Sequence, residues 1–179
     1  AEPEWGVAAT VWPTTCLRSQ PPDRPEPDSI RMKILFICTG NTCRSVLAHY
    51  YAAKLAAAGK LPLEFSSAGL QADKSAAQPA AVTRLLRKTG IKASAHTPTQ
   101  LTAALAEGAG LILTMTAAHK AQISALYPAA ASKTFTLTEY AGEGGDIEDP
   151  YGRDDEFYAD TFKIIKAAAK AALEKLKKK

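Results

Sequence analysis

An α/β fold is what this sequence predicts, on three observations. Short unbroken apolar runs such as Ile34-Leu35-Phe36-Ile37 have the composition of parallel strands buried on both faces. They alternate with alanine-rich stretches whose apolar residues recur every three or four positions, the period of helices. A length of 179 residues is enough for one domain with a real core.

The first strand runs into Cys38-Thr39-Gly40-Asn41-Thr42-Cys43-Arg44-Ser45, a loop of the form C-x5-R with a helical pattern behind it. A loop between a strand and a helix N-terminus turns backbone N–H groups and the positive helix end toward an anion. Gly40 permits a positive φ without steric cost, and Asn41 tolerates one better than most residues. Arg44 can hold two oxygens bidentately. The same field lowers the pKa expected of Cys38, making it a thiolate aimed at a bound phosphorus. Ser45 can donate to that sulfur. C-x5-R alone arises often by chance; the strand before it, the helix after it, Gly40 and Ser45 give it weight.

The first helix is expected from about Arg44 to Ala58, with Leu47, Tyr50 or Tyr51, Leu55 and Ala58 inward and Gly59 at its end. Leu63–Ser66 reads as the second strand, followed by Ser67-Ala68-Gly69. Pro79–Lys88 reads as a helix with Val82, Leu85 and Leu86 inward and Gly90 as its cap. A short helix is expected over Leu101–Ala106, a third strand over Gly110–Met115, and a helix over Ala118–Leu126 with His119 on its surface. Phe135 and Leu137 mark a fourth, more exposed strand. Asp146-Ile147-Glu148-Asp149-Pro150-Tyr151-Gly152 is a loop, and a last helix spans about Asp155–Lys177, with Tyr158, Phe162, Ile165, Ala169, Ala172 and Leu176 on one face. Right-handed crossovers make this a single three-layer domain, a four-stranded parallel sheet flanked by helices. The site then lies at the carboxyl ends of the strands.

Residues 1–31 read differently. They hold both tryptophans, Cys16 and a proline cluster, with no period of helix or strand, and are expected to be a disordered extension before a domain at 32–179. No basic n-region or sustained apolar core suggests a signal peptide. Trp5 and Trp12 leave open a partner-binding tail. No apolar run is long enough to span a membrane. Three cysteines, two of them in the loop, suit a reducing cytoplasm rather than a disulfide framework. The net charge of +4 gathers largely at the terminal lysines, with no basic stripe interleaved with aromatics, so neither nucleic acid nor membrane is expected as a partner.

The motif C-T-G-N-T-C-R-S, with the Asp-Pro loop at Asp149-Pro150 and the order of elements between them, resembles the low-molecular-weight phosphatases, which include protein-tyrosine phosphatases and bacterial protein-arginine phosphatases. The resemblance spans Met32 to about Leu176. It implies a phosphorylated protein as substrate and hydrolysis through phosphocysteine. Cys38 is the implied nucleophile. Arg44 and the loop from Thr39 through Gly40, Asn41, Thr42 and Cys43 to Ser45 are the implied phosphate cradle, and Asp149 the general acid. Asp146 and Glu148 are expected to raise the pKa of Asp149. The resemblance also implies that Ser67 supports the loop, that His96 bonds Asn41, and that Cys43 either forms a disulfide with an oxidised Cys38 or packs behind the loop. No cofactor is implied; Arg44, the amides and the helix dipole supply the positive field, and no H-E-x-x-H or paired C-x-x-C motif is present. Oligomeric state is left open. Thr42 and the run Leu113-Thr114-Met115-Thr116 are similar to the arginine branch, and a threonine suits a slim polar guanidinium better than a phenyl ring. Tyr151 is similar to the tyrosine branch. Val46 departs from the proline usual after Arg-Ser, which loosens the helix start without abolishing chemistry. An arsenate reductase would need a further cysteine after Cys43. A non-catalytic phosphate-binding module would be expected to lack one of Cys38, Arg44 and Asp149.

Overall fold

A computed structural model describes residues 31–92 and 96–178. The extension expected before Met32, with Cys16 and the two tryptophans, lies outside the described residues except for Arg31.

Four strands, β1 (Met32–Cys38), β2 (Leu63–Gly69), β3 (Leu111–Thr114) and β4 (Thr134–Thr136), form one parallel sheet in the order β2-β1-β3-β4. Strand β1 is central because its side chains are apolar on both faces. Ile34, Phe36 and Cys38 face one core, while Leu35 and Ile37 face the other, as the two-residue period of a strand requires. The larger core holds α1 (Arg44–Ala58) and α6 (Asp155–Lys177), through Leu47, Ala48 and Ala52 on α1 and Phe162, Ile165, Ala172 and Leu173 on α6. Tyr51 meets Phe162 edge-on, with ring centroids 5.8 Å apart. The smaller core lies under α3 (Ala103–Gly108) and α4 (Ala117–Leu126), built on Leu35, Ile37, Ile112 and Ile123. A short helix α2 (Ala80–Lys88) completes the α1 side, with Val82 and Leu86 fully buried.

One expected element takes a different form. Leu137 does not extend the fourth strand; it opens α5 (Leu137–Ala141) and is fully buried. Thr136 accepts the Glu139 N–H while the Glu139 carboxylate accepts the Thr136 N–H, and this reciprocal cap turns the chain into a helix after three residues of strand. Strand β4 is also less exposed than expected, with Thr134 and Thr136 buried.

Candidate active site

Strand β1 ends at Cys38, α1 starts at Arg44, and the loop between them borders a pocket of about 410 Å³. Cys38, Thr39, Gly40, Thr42, Cys43 and Arg44 form its floor; Asp149 and Tyr151 come from the loop before α6, and Gln71 and Asp73 from the loop after β2. A wider cleft of about 560 Å³ lies at the other end of the strands, between α1 and β2, and contains none of these groups.

Of the two loop residues expected to tolerate a positive φ, Asn41 takes it, with φ 55°, and Gly40 does not. Asn41 is fully buried, and its side chain links the loop to its surroundings. Its Oδ1 accepts from the Thr99 N–H at 2.9 Å and faces His96 Nε2 at 2.9 Å. An oxygen only accepts, so His96 carries its proton on Nε2. At the other end Asn41 Nδ2 donates to Ser45 Oγ at 2.9 Å, and Ser45 Oγ lies 3.0 Å from Cys38 Sγ. With its oxygen accepting from Asn41, the serine is left to give its proton to sulfur. The Asn41 N–H also points at Cys38 Sγ, at 3.3 Å. Two donors therefore converge on the sulfur.

Arg44 is buried, and three observations describe its guanidinium. Nη1 donates to the Ile147 carbonyl at 3.0 Å, Nη2 pairs with Asp149 Oδ2 at 2.5 Å, and Nε is buried with no hydrogen-bond partner among the described residues. The Asp149 loop is itself anchored. The Ile147 N–H donates to Met115 O at the end of β3, and Asp146 accepts from the Ala117 N–H at the start of α4. Asp146 thus accepts from a helix end, and Asp149 pairs with Arg44. Tyr151 stands 70% exposed at the rim.

Behind the loop, the Ser67 hydroxyl lies 3.3 Å from His49 Nδ1, with no hydrogen bond to the loop among the described residues. Strand β2 instead backs the loop at Gly69, paired with Cys38, where a Cβ would come within 2.6 Å of Thr39 O. In the sequence the only signal of that glycine's role is its position at a strand end after Ser67-Ala68. His119, expected on the surface, is buried, with Nε2 2.9 Å from Thr39 Oγ1. Burial and the nearby Arg44 push its pKa down to about 4, so it is neutral. Cys43 is a free, buried thiol near Tyr158 Oη at 3.7 Å, and burial pushes its pKa up against the hydrogen bonds from Thr42 and Tyr158. Val46 is fully buried in the larger core.

Comparison with known proteins agrees with this geometry. The family model described as low molecular weight phosphotyrosine protein phosphatase matches residues 33–179. A protein-arginine-phosphatase of Bacillus subtilis (strain 168) is 37% identical over 149 residues, 82% of this chain and 98% of its own. The low molecular weight protein-tyrosine-phosphatase PtpB of Staphylococcus aureus is 37% identical over 135 residues, covering 75% of this chain and 91% of its own. A structure described as the YwlE arginine phosphatase, a mutant with a phosphorylated active-site serine in place of cysteine, superposes with a TM-score of 0.78 at 34% identity, over 82% of this chain and 97% of that one.

Proposed function

We propose that this chain, which belongs to the low molecular weight phosphotyrosine protein phosphatase family, hydrolyses phosphoarginine on proteins through a phosphocysteine intermediate. The observation that carries the proposal is the meeting of Cys38, Arg44, Thr42 and Asp149 around one pocket. The Cys38 thiolate attacks phosphorus in line, and the P–N bond to the guanidino nitrogen breaks as the S–P bond forms. Arg44 and the loop amides hold the equatorial oxygens. A phosphoryl group on Arg44 competes with Asp149 for the guanidinium. Asp149, in its protonated form, then gives its proton to the leaving nitrogen, and afterwards takes one from the water that attacks phosphorus and releases the thiolate. Ser45 stabilises that thiolate as it leaves. His96 and Asn41 hold Ser45 in register, and Cys43 and Tyr158 fill the space behind.

Thr42 supports arginine as the substrate. It lines the pocket floor with a short polar side chain, leaving room for a planar guanidinium and offering it a hydroxyl. A second reading, phosphotyrosine hydrolysis by the same steps, has its own support in Tyr151, an exposed aromatic on the rim that can stack on a phenyl ring. The two are separated by kcat/KM on matched phosphoarginine and phosphotyrosine peptides, with Cys38→Ser as blank. Preference for phosphoarginine, reduced in Thr42→Ile, is expected. Preference for phosphotyrosine overturns the substrate assignment and leaves the chemistry standing.

A further inference from the structure

The catalytic steps above leave one buried titratable side chain beside the pocket unused. His119, in the first turn of α4, is 7% exposed, and its Nε2 lies 2.9 Å from the Thr39 hydroxyl. Its Nδ1 is buried without a hydrogen-bond partner among the described residues. An orphaned buried polar atom costs about 1–3 kcal/mol, which an aliphatic residue filling the same space would not incur. Packing alone therefore does not account for a histidine here.

Its partner indicates what it does. Thr39 is the first loop residue after the nucleophile, is exposed, and lines the pocket. Its backbone is held from the β2 side, where the Gln71 N–H donates to Thr39 O at 2.9 Å and the Leu70 N–H to Cys38 O at 3.1 Å. From the α4 side, its side chain meets His119. Thr39 is thus gripped from both flanks at the point where the chain leaves β1 and begins to wrap the anion. The aim of every following amide, from Gly40 to Arg44, depends on how that residue is set. His119 is not among the residues lining the pocket and meets it through Thr39. Its neutral ring adds no charge that would compete with Arg44 for phosphate.

We propose that His119 is a positioning residue of the phosphatase reaction: through Nε2 it fixes the Thr39 hydroxyl and so sets the phosphate loop for the transition state. This rests on the cysteine-dependent phosphatase chemistry and not on the choice between arginine and tyrosine, so its test uses a small aryl phosphate.

Steady-state kinetics and melting temperature are measured for the full chain and for His119→Ala, His119→Gln, Thr39→Val and the double variant His119→Ala/Thr39→Val. Misplacing loop amides by a fraction of an ångström weakens transition-state contacts more than ground-state ones. His119→Ala is expected to lower kcat roughly ten- to hundredfold with KM changed by less than about threefold. Gln, whose amide reaches the position of Nε2, restores most of the loss. Thr39→Val, which removes only an exposed hydroxyl, reproduces it, and the double variant is no worse than the worse single one. Thr39→Val with wild-type kcat overturns the proposal, as does a double variant whose losses multiply. Should His119→Ala fail to fold, Thr39→Val and His119→Gln decide the matter alone: lowered kcat in the first at an unchanged melting temperature, with activity kept in the second, supports the proposal, and any other pairing overturns it.

Discussion

Two glycines near Cys38 separate what the loop requires sterically from what it merely contains. At Gly69 a Cβ would lie 2.6 Å from Thr39 O and 3.0 Å from Asn41 N, both backbone atoms of the phosphate loop. Gly69→Ala must therefore push the loop off β2, and overpacking of this kind costs about 1–3 kcal/mol. A lowered melting temperature together with a lowered kcat is expected, and wild-type values of both would show that the loop is not seated on β2. At Gly40 a Cβ meets only Thr42 Oγ1, at 3.7 Å, and φ is not positive. Gly40→Ala is expected to keep the melting temperature within about 1 °C. From sequence, Gly40 and Asn41 are both candidates for the special conformation, because both residue types tolerate it. The structure chooses Asn41, whose side chain is needed by Ser45, Thr99 and His96 together. That choice depends on partners up to 58 residues away, which no local pattern contains.

The Asp-Pro segment works as an element because both its flanks are tied down. Ile147 is fully buried and bonded to Met115, and Asp146 is bonded to the start of α4. Asp149→Asn is expected to keep the fold and to remove the proposed proton donor, so that kcat falls about 10²–10⁴-fold and the limb of the pH–rate profile that reports the acid vanishes. Asp146→Ala leaves the proposed acid in place but removes a tether of its loop. It is expected to lower stability by about 1 kcal/mol and kcat by less than Asp149→Asn, with the acid limb retained. An identical pH profile for the two variants would mean that Asp149 is not the acid. Elements with a full helical period were legible beforehand, and α1 and α6 run over Arg44–Ala58 and Asp155–Lys177 as expected. The Phe135–Leu137 alternation misled because three residues cannot distinguish a strand from the approach to a helix. The correct signal was present in Thr136-Leu137-Thr138-Glu139, which has the T-x-x-E spacing of a capping box. His119 misled for another reason: its helix is only weakly amphipathic in sequence, and its burial comes from a contact across 80 residues of chain.

Across the whole molecule the three histidines share one electrostatic state. His49 is pushed down to about 4 by burial and by nearby His96, His119 to about 4 by burial and by Arg44, and His96 is lowered by burial against its bond to Asn41. All three stand in the region that backs the phosphate loop, and each is neutral in the fold. In the unfolded chain each titrates near its ordinary value of about 6.5. A group whose folded pKa is depressed contributes stability that is complete above the unfolded value and is lost as pH falls toward the folded one. The protein should thus be most stable above about pH 6.5 and lose stability steadily down to about pH 4, where His49 and His119 must charge inside the fold. The two together contribute at most about 7 kcal/mol, a large share of the 5–15 kcal/mol typical of a domain. Glu139, held below its usual range chiefly by its hydrogen bond from Lys120, adds to the slope at the acid end. The measurement is melting temperature against pH for the full chain and for His49→Gln/His119→Gln. The double variant is expected to start lower at neutral pH and to fall less steeply between pH 6.5 and 4. Parallel curves would place the acid sensitivity in the carboxylates, and would mean that neutral histidines are not what keeps the back of the loop intact.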